Sequence, residues 1–209
     1  MVPKIGIIDY GSGNIASVTN ALKKHGYERV FLVSQSFVRN DFDLLILPGV
    51  GSFGYAMKQL KNMNLVSSLH EFYAQNGPII GICLGMQLFA KNSEESVGCE
   101  GLGFVEGSVK KIRFSNSQKV PSIGWFRTSL VFDEVIFNAY FYHVHSYHLV
   151  FEDLDVTNIS TYQSGGTQIT SAFLKDNIIG MQFHPERSGE TGVRLLGTCI
   201  ERLLRLRPK

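Results

Sequence analysis

Cysteine is scarce in this 209-residue sequence, which has three, at positions 83, 99 and 199. None lies in a CxxC pair, so the sequence does not encode a disulfide framework. Reduced thiols are typical of cytoplasmic proteins, and we therefore expect a cytoplasmic location. Cys99 and Cys199 lie in no motif and are predicted to be structural, whereas Cys83 lies in a distinctive segment.

Long apolar runs and an excess of charge of one sign are also absent. No run is long enough to cross a bilayer, and the N-terminus turns polar at Asp9, so we expect no signal peptide. A net charge of +2 gives no argument for a nucleic acid or a membrane surface as partner. The sequence has 44% hydrophobic residues and shows no linker or repeat, so we expect one domain over residues 1–209.

The most informative segment is residues 78–87, which read PIIGICLGMQ. A buried apolar strand runs into Cys83, which has a glycine two positions away on each side, and a helix is predicted to follow. This is the layout of a nucleophile elbow, in which glycines relieve crowding and the helix start favours the thiolate. A cysteine on an apolar run is otherwise more often inert, so a base and an oxyanion hole are needed beside it.

The candidate base is His184, in residues 180–188, which read GMQFHPERS. A predicted strand carries His184 at its end, and Glu186 follows two residues later. Activation of a thiol needs an imidazole within hydrogen-bond reach and a third group that orients it. Because Pro185 is rigid, it can direct the carboxylate of Glu186 back toward the imidazole.

The candidate oxyanion hole lies in residues 44–53, which read LLILPGVGSF. A buried strand ends here in a Pro-Gly-x-Gly loop, whose glycines let backbone N–H groups turn toward developing negative charge. We predict that the N–H of Val50 or Gly51, together with that of Leu84, supplies the oxyanion donors. Taken alone, the loop is also compatible with an ordinary turn at the end of a strand.

The hydrophobic pattern predicts strands alternating with helices in the first half and short strands after residue 106. The predicted strands are residues 4–9, 29–33, 44–47, 79–82, 141–144, 158–162, 169–174 and 178–183, with turns at 165–166 and 176–177. The predicted helices are residues 14–25, 55–76 with a break near Asn64, and one from Thr191, whose basic end includes Arg202, Arg205, Arg207 and Lys209. These elements predict an α/β fold with a doubly wound, mostly parallel central sheet, flanking helices and added antiparallel strands. Its site should lie beyond the carboxyl ends of the strands.

The Gly-x-Cys-x-Gly and His-x-Glu motifs resemble those of class I, triad-type glutamine amidotransferases, and in particular the glutaminase subunits of imidazole glycerol phosphate synthases. The resemblance covers essentially the whole chain. The segments that carry it are residues 9–14, 48–53, 85–89, 93–95, 101–103, 144–147 and 183–188. It implies that Cys83, His184 and Glu186 form a catalytic triad that hydrolyses glutamine without a cofactor or metal.

The same resemblance implies further roles. Gln87, Glu95, Ser146 and Tyr147 would bind the substrate glutamine, with Glu95 able to pair with its α-ammonium group. The expected partner is a separate (β/α)8-barrel cyclase subunit that receives the ammonia and uses it in histidine biosynthesis. The residues that the resemblance places at that interface are Asn14, Ser122, Trp125 and Arg187.

Residues 121–126, PSIGWF, depart from the family pattern Pro-His-x-Gly-Trp-Asn. Ser122 stands in place of the histidine and Phe126 in place of the asparagine, while Arg187 replaces a lysine without matching its geometry. The acceptor of the ammonia therefore stays open between the histidine pathway and sugar amidation in surface-polysaccharide pathways. A stand-alone γ-glutamyl cysteine hydrolase could use the same three residues, and a non-catalytic binding module could share the same fold.

Two further patterns are weighed against this interpretation. Residues 11–16, GSGNIA, fit the glycine pattern of dinucleotide-binding loops, but the acidic residue expected about twenty positions later is replaced by the LVS of residues 32–34. His143, His145 and His148 have no cysteine or carboxylate nearby in the sequence to complete a zinc ligand set. We interpret them as strand and loop histidines, with His145 in the glutamine-site segment.

Overall fold

The computed structural model describes residues 2–115, 117–132, 135–152 and 156–206, but not the side chains of 131–136 and 157–158. Arg207 and Lys209 of the predicted basic helix end lie outside the described residues. The strands are β1 (Ile5–Ile8), β2 (Val30–Val33), β3 (Leu44–Gly49), β4 (Ile79–Cys83), β5 (Asn92–Ser93), β6 (Gly107–Lys111), β7 (Ser122–Phe132), β8 (Val135–His145), β9 (Tyr147–Phe151), β10 (Thr157–Ser164), β11 (Thr167–Lys175) and β12 (Ile178–Met181). The α-helices are α1 (Ile15–Lys24), α2 (Phe53–Asn62), α3 (Leu65–Ala74), α4 (Leu84–Gln87) and α5 (Gly189–Arg205).

The central sheet has seven strands in the order β10-β11-β12-β4-β3-β1-β2. The five strands from β12 to β2 are parallel, and β11 and β10 extend the sheet in antiparallel fashion. Two smaller sheets, β5-β6-β9 and the hairpin β7-β8, lie beside it. The prediction of a doubly wound, mostly parallel sheet with added antiparallel strands is therefore confirmed.

Alternating side chains of the central strands feed two separate cores, because successive residues of a strand point to opposite faces. On one face Leu45 and Leu47 pack with α2 and α3, and on the other Leu44 and Ile46 pack with α1 and α5. Every residue of β1, β3, β4 and β12 is buried, as expected for parallel strands covered by helices on both faces, whereas Phe31 and Leu32 of the edge strand β2 are exposed. No described helix is both long and apolar enough to traverse a lipid bilayer.

Most predicted boundaries lie within a few residues of the observed ones. The break near Asn64 is present, since this residue has a positive φ of 55° and separates α2 from α3. Gly165 and Gly166, with φ of 56° and 74°, form the predicted hairpin turn between β10 and β11. The closing helix begins at Gly189, two residues before the predicted start.

One prediction about secondary structure was wrong. The strands after residue 106 are not all short, because β7 and β8 run for 11 residues each in one antiparallel ladder. The predicted helix after Cys83 is present, and it is one turn long, from Leu84 to Gln87. Any effect of α4 on the sulfur therefore comes from its few free N–H groups rather than from a long helix dipole.

At Gly85 the backbone of α4 lies close against the central sheet. A Cβ atom at this position would lie 1.7 Å from the carbonyl oxygen of Leu47 in β3. That oxygen belongs to the backbone of a central strand and cannot move aside without breaking the sheet pairing. The glycine after the cysteine is thus required by close approach of two backbones.

We predict that Gly85→Ala lowers the free energy of unfolding by about 3 kcal/mol or more, because the added methyl group overlaps the backbone of β3. Urea denaturation would measure the change. Gly98→Ala is the matched control, since Gly98 has φ of 79° but open space around its Cβ position. It should lose only about 1 kcal/mol, and equal losses for the two variants would contradict the account.

Candidate active site

Cys83 lies at the last position of β4, in the bend that leads into α4. Its φ and ψ of 55° and −111° are unusual for a residue with a side chain. A Cβ atom at Gly81 would meet the ring of Phe89 at 2.6 Å, so this glycine also permits tight packing under the bend. The predicted elbow is therefore present, with the Cys83 side chain in a cavity at the carboxyl end of the sheet.

His184 and Glu186 follow β12, which pairs in parallel with β4. The carboxyl ends of the two strands are adjacent, which brings His184 to Cys83 although a hundred residues separate them. Nδ1 of His184 lies 2.8 Å from Oε1 of Glu186, and both side chains are almost completely buried. Within the described part of the chain, Nε2 of His184 has no hydrogen-bond partner at ordinary distance and is left for the reacting groups.

The imidazole of His184 has a strongly shifted acidity. Burial alone lowers its pKa, but interactions with Cys83 and Glu186 more than offset burial and raise the pKa to about 10. These neighbours favour the charged imidazole because they place negative charge beside it. The site therefore favours an imidazolium at His184, held between the sulfur of Cys83 and the carboxyl group of Glu186.

The predicted oxyanion loop lies on the other side of Cys83. Gly49, the last residue of β3, pairs in register with Cys83, so the loop that follows begins beside the sulfur. The hydroxyl of Ser12 donates to the carbonyl oxygen of Val50, and Gly51 has a positive φ of 96°. Val50 and Gly51 line the same cavity as Cys83.

A cavity of about 320 Å³ unites most of the predicted residues. This volume is at the lower end of the range for small-molecule sites. The predicted residues that line it are Cys83, His184, Val50, Gly51, Leu84, Gln87, Glu95, Ser146 and Tyr147, joined by Val144 and His145. Glu186 is not among them, because it contacts His184 from behind.

The side chains of Gln87 and Glu95 line the cavity, and each also forms hydrogen bonds with other residues of the protein. The side-chain nitrogen of Gln87 donates to the carbonyl oxygen of Tyr147 at 2.9 Å and to Oε1 of Gln182 at 3.0 Å. Oε2 of Glu95 accepts from the backbone N–H of Phe53 at 2.7 Å. Among the residues that the structure describes, none bonds to Oε1 of either side chain, which leaves this oxygen to face a ligand.

Of the four predicted interface residues, Ser122 differs from Asn14, Trp125 and Arg187. Trp125 is exposed, and both its ring and the guanidinium of Arg187 pack against the ring of Tyr142. Arg187 and Tyr142 border His184, because they bond to its backbone through the Arg187 N–H and the Tyr142 carbonyl. Asn14 lies beside the triad, with its side-chain nitrogen 3.5 Å from Oε1 of Glu186.

Ser122 differs from the expectation, since its side chain is only 2% exposed. Along β7 the even-numbered residues point inward and the odd-numbered ones, such as Trp125, point outward. Ser122 bonds to the hydroxyl of Tyr162 at 2.9 Å, and the ring of Phe126 packs on the same tyrosine at 4.5 Å. Both departures from the family pattern are therefore accommodated inside the chain, and the Ser122 side chain is not presented at the surface.

The three histidines near the cavity are kept neutral by burial. Burial lowers the pKa of His145 to about 3 and the pKa of His143 well below its usual value, and it also lowers the pKa of His148. His145 bonds to Tyr147 and Tyr162, and His143 to His145 and Ser171. Among the described residues, no group of three His, Cys, Asp or Glu side chains is arranged to hold a metal ion.

Comparison with protein families assigns the chain to a known family. The model of the family described as glutamine amidotransferase class-I matches residues 6–201. The chain belongs to this family. The prediction of the family from the two motifs is thereby confirmed.

Curated relatives of this amidotransferase carry the name "Imidazole glycerol phosphate synthase subunit HisH". The protein from Sulfurimonas denitrificans is 41% identical, over 92% of this chain and 95% of its own. The protein from Oceanobacillus iheyensis is 43% identical, over 92% and 96%, and that from Thermotoga maritima is 38% identical, over 95% and 96%. The amidotransferase is an enzyme subunit of this HisH type.

Solved structures support the fold. A structure of PurLQS from Thermotoga maritima matches with a TM-score of 0.73 at 20% identity, over 96% of this chain and 99% of its own. Another, described as a glutamine amidotransferase, matches with a TM-score of 0.68 at 17% identity, over 94% and 97%. At these identities the likeness concerns the fold alone.

Three polar residues of the site were missed from the sequence. Gln182, 3.7 Å from the sulfur of Cys83, lies two residues before His184, and the period of two in a strand could have indicated a shared face. Ser12 bonds to Val50, and Tyr162 bonds to His145 and Ser122. Nothing in the sequence near Tyr162 indicates these contacts, because its partners come from other strands.

We predict that Glu186→Gln lowers the pKa of His184, because it removes a carboxylate that favours the imidazolium. The wild-type pKa of about 10 should fall by about 1–3 units, the usual effect of an adjacent opposite charge. Imidazole NMR shifts of His184 against pH would measure it. His70, which lies outside this site, is the internal control, and an unchanged His184 titration would contradict the role of Glu186.

Proposed function

We propose that this chain hydrolyses L-glutamine to glutamate and ammonia through Cys83, His184 and Glu186, as the glutaminase subunit of imidazole glycerol phosphate synthase. The single observation that carries the proposal is the convergence of Cys83 and the His184–Glu186 pair at the adjacent carboxyl ends of β4 and β12. Membership of the glutamine amidotransferase family and the names of the relatives support the same activity.

In the first step the Cys83 thiolate attacks the side-chain carboxamide carbon of glutamine. The negative charge that develops on the carboxamide oxygen is stabilised by backbone N–H groups of Val50 or Gly51 and of Leu84. The His184 imidazolium gives its proton to the amide nitrogen, and ammonia leaves. The product of this step is a γ-glutamyl thioester on Cys83 and a neutral His184.

In the second step water attacks the thioester, and neutral His184 accepts a proton from it. Collapse of this intermediate expels the sulfur as a thiolate and releases glutamate. Glu186 stays ionised throughout and keeps Nδ1 of His184 protonated, so that Nε2 is the atom that exchanges protons. The starting thiolate–imidazolium pair is restored.

Substrate glutamine is held by the residues opposite the triad. Oε1 of Glu95 is free to accept from the α-ammonium group, since Oε2 is bonded to Phe53. Gln87 can accept through its own Oε1, because its nitrogen donates inside the protein. The remaining contacts come from Ser146 and Tyr147, which line the same cavity.

The ammonia is passed to a (β/α)8-barrel cyclase subunit, which forms imidazole glycerol phosphate and an aminoimidazole ribotide in the cytoplasm. Free ammonia is mostly protonated in neutral water, so it has to be used where it is made. Arg187 and Asn14 contact residues of the triad, Trp125 packs with Arg187 on Tyr142, and these three residues form the proposed contact surface. Without the partner the glutaminase is nearly silent, until the Val50 peptide turns to donate its N–H.

We predict that Cys83→Ala lowers the glutamine-dependent rate of the complex with the cyclase subunit at least about a thousandfold, because the nucleophile is lost. Steady-state measurement of glutamate release would test it. The same complex should retain synthesis supported by ammonium salts, since the cyclase chemistry does not need the sulfur.

Cys99→Ala is the matched control for this variant, because Cys99 lies outside the cavity, and it should keep wild-type activity. Wild-type glutamate release by Cys83→Ala would end the proposal. Faster hydrolysis of γ-glutamyl peptides than of glutamine would favour the stand-alone hydrolase instead.

Glu95→Gln provides a separate test of substrate binding. The amide keeps an acceptor for Phe53 but loses the charge that pairs with the α-ammonium group, so KM for glutamine should rise about 10- to 150-fold. Kinetics with glutaramate, which has no α-amino group, serve as the control. The wild-type protein and the variant should hydrolyse glutaramate equally well, and an equal loss with both substrates would contradict the assigned contact.

A further inference from the structure

Gln182 is a buried polar residue at the site that the mechanism above does not use. It follows the last residue of β12, and Met181 pairs in register with Ile82, so Gln182 comes opposite Cys83. Its side chain is fully buried and its nitrogen lies 3.7 Å from the sulfur. Its backbone N–H donates to the carbonyl of Ser171 at 2.7 Å, which ties the residue to β11.

The orientation of the Gln182 amide is fixed by its neighbours. The carbonyl oxygen of Tyr147 can only accept, so the atom of Gln87 that faces it is the nitrogen. The same nitrogen has a second hydrogen, which it gives to Gln182, and the atom of Gln182 that receives it is therefore the oxygen. The nitrogen of Gln182 then points at Cys83 and donates to it.

We infer that Gln182 is a positioning residue for the nucleophile, which donates a hydrogen bond to the Cys83 sulfur in an orientation set by Gln87. This inference rests on the proposed function of Cys83. A hydrogen bond to the charged form of a group favours that form, so the donor stabilises the thiolate both before attack and as it leaves the thioester. The hydrogen bond also restricts the rotation of the Cys83 side chain and keeps its sulfur facing the cavity.

The inference gives Gln87 a second task besides contact with the substrate. If its amide turned over, its oxygen would face the carbonyl of Tyr147, and Gln182 would lose its partner. A turned Gln182 would present an oxygen to the thiolate and repel it. The chain from Tyr147 through Gln87 and Gln182 to Cys83 therefore acts as one oriented unit.

The test is alkylation of Cys83 by iodoacetamide against pH, followed by mass spectrometry of the peptide that contains it. Among the described residues, the titratable side chains with an interaction with the sulfur are His184 and Tyr10, and both are unchanged in the variants. Gln182→Met removes the donor while keeping a similar length. Gln182→Glu keeps an acceptor for Gln87 but replaces the donor with a carboxylate.

The midpoint of Cys83 alkylation should move to higher pH by about one unit in Gln182→Met, a tenfold change in the ionisation equilibrium. It should move further in Gln182→Glu, because a negative charge then faces the sulfur. The turnover number of the complex with the cyclase should fall about tenfold in Gln182→Glu. Its KM for glutamine should stay unchanged, since Gln87 keeps its partner.

Cys99, which is partly exposed and does not line the cavity, is the reference thiol in every sample, and its alkylation should be the same in the wild type and the variants. Ser171→Ala is the matched control, since Ser171 is equally buried and bonds to Gln182 only through its backbone. Wild-type midpoints in both folded Gln182 variants would overturn the inference. Because alkylation needs no turnover, that result would leave the glutaminase proposal standing.

Discussion

The site depends on one structural constraint, the parallel pairing of β4 with β3 on one side and β12 on the other. In parallel strands all carboxyl ends meet at the same edge of the sheet. Three segments far apart in the sequence, ending at Gly49, Cys83 and Met181, are therefore placed side by side. The oxyanion loop, the sulfur and the imidazole each continue directly from one of these ends, and no long loop has to position them.

The pairing also supports a strained backbone. The unusual φ and ψ of Cys83 cost about 1–3 kcal/mol, and such a cost persists only where the surroundings fix the conformation. Here β4 is hydrogen-bonded on both sides, while Gly81 and Gly85 admit the ring of Phe89 and the backbone of Leu47. The short helix α4 needs this support, since a helix of one turn is not stable by itself.

The features that could be predicted from the sequence are those determined by residues close together along the chain. The glycines around Cys83 and the proline between His184 and Glu186 are short-range patterns, and each gave a correct position for its element. Gln182 and the inward side of Ser122 were missed because their partners lie in other strands. The length of β7 was missed for the same reason, since its ladder with β8 is formed by pairing rather than by a strong local pattern.

The neutral histidines around the cavity explain why one imidazole carries the proton. Burial lowers the pKa of His143 and His145, and the positive charge of His184 lowers both further. A second imidazolium would compete with His184 for the thiolate. It would also interfere with proton transfer from His184 to the leaving ammonia. The bonds of His145 to Tyr147 and Tyr162 satisfy the neutral ring, so His184 is the imidazole that carries positive charge beside the sulfur.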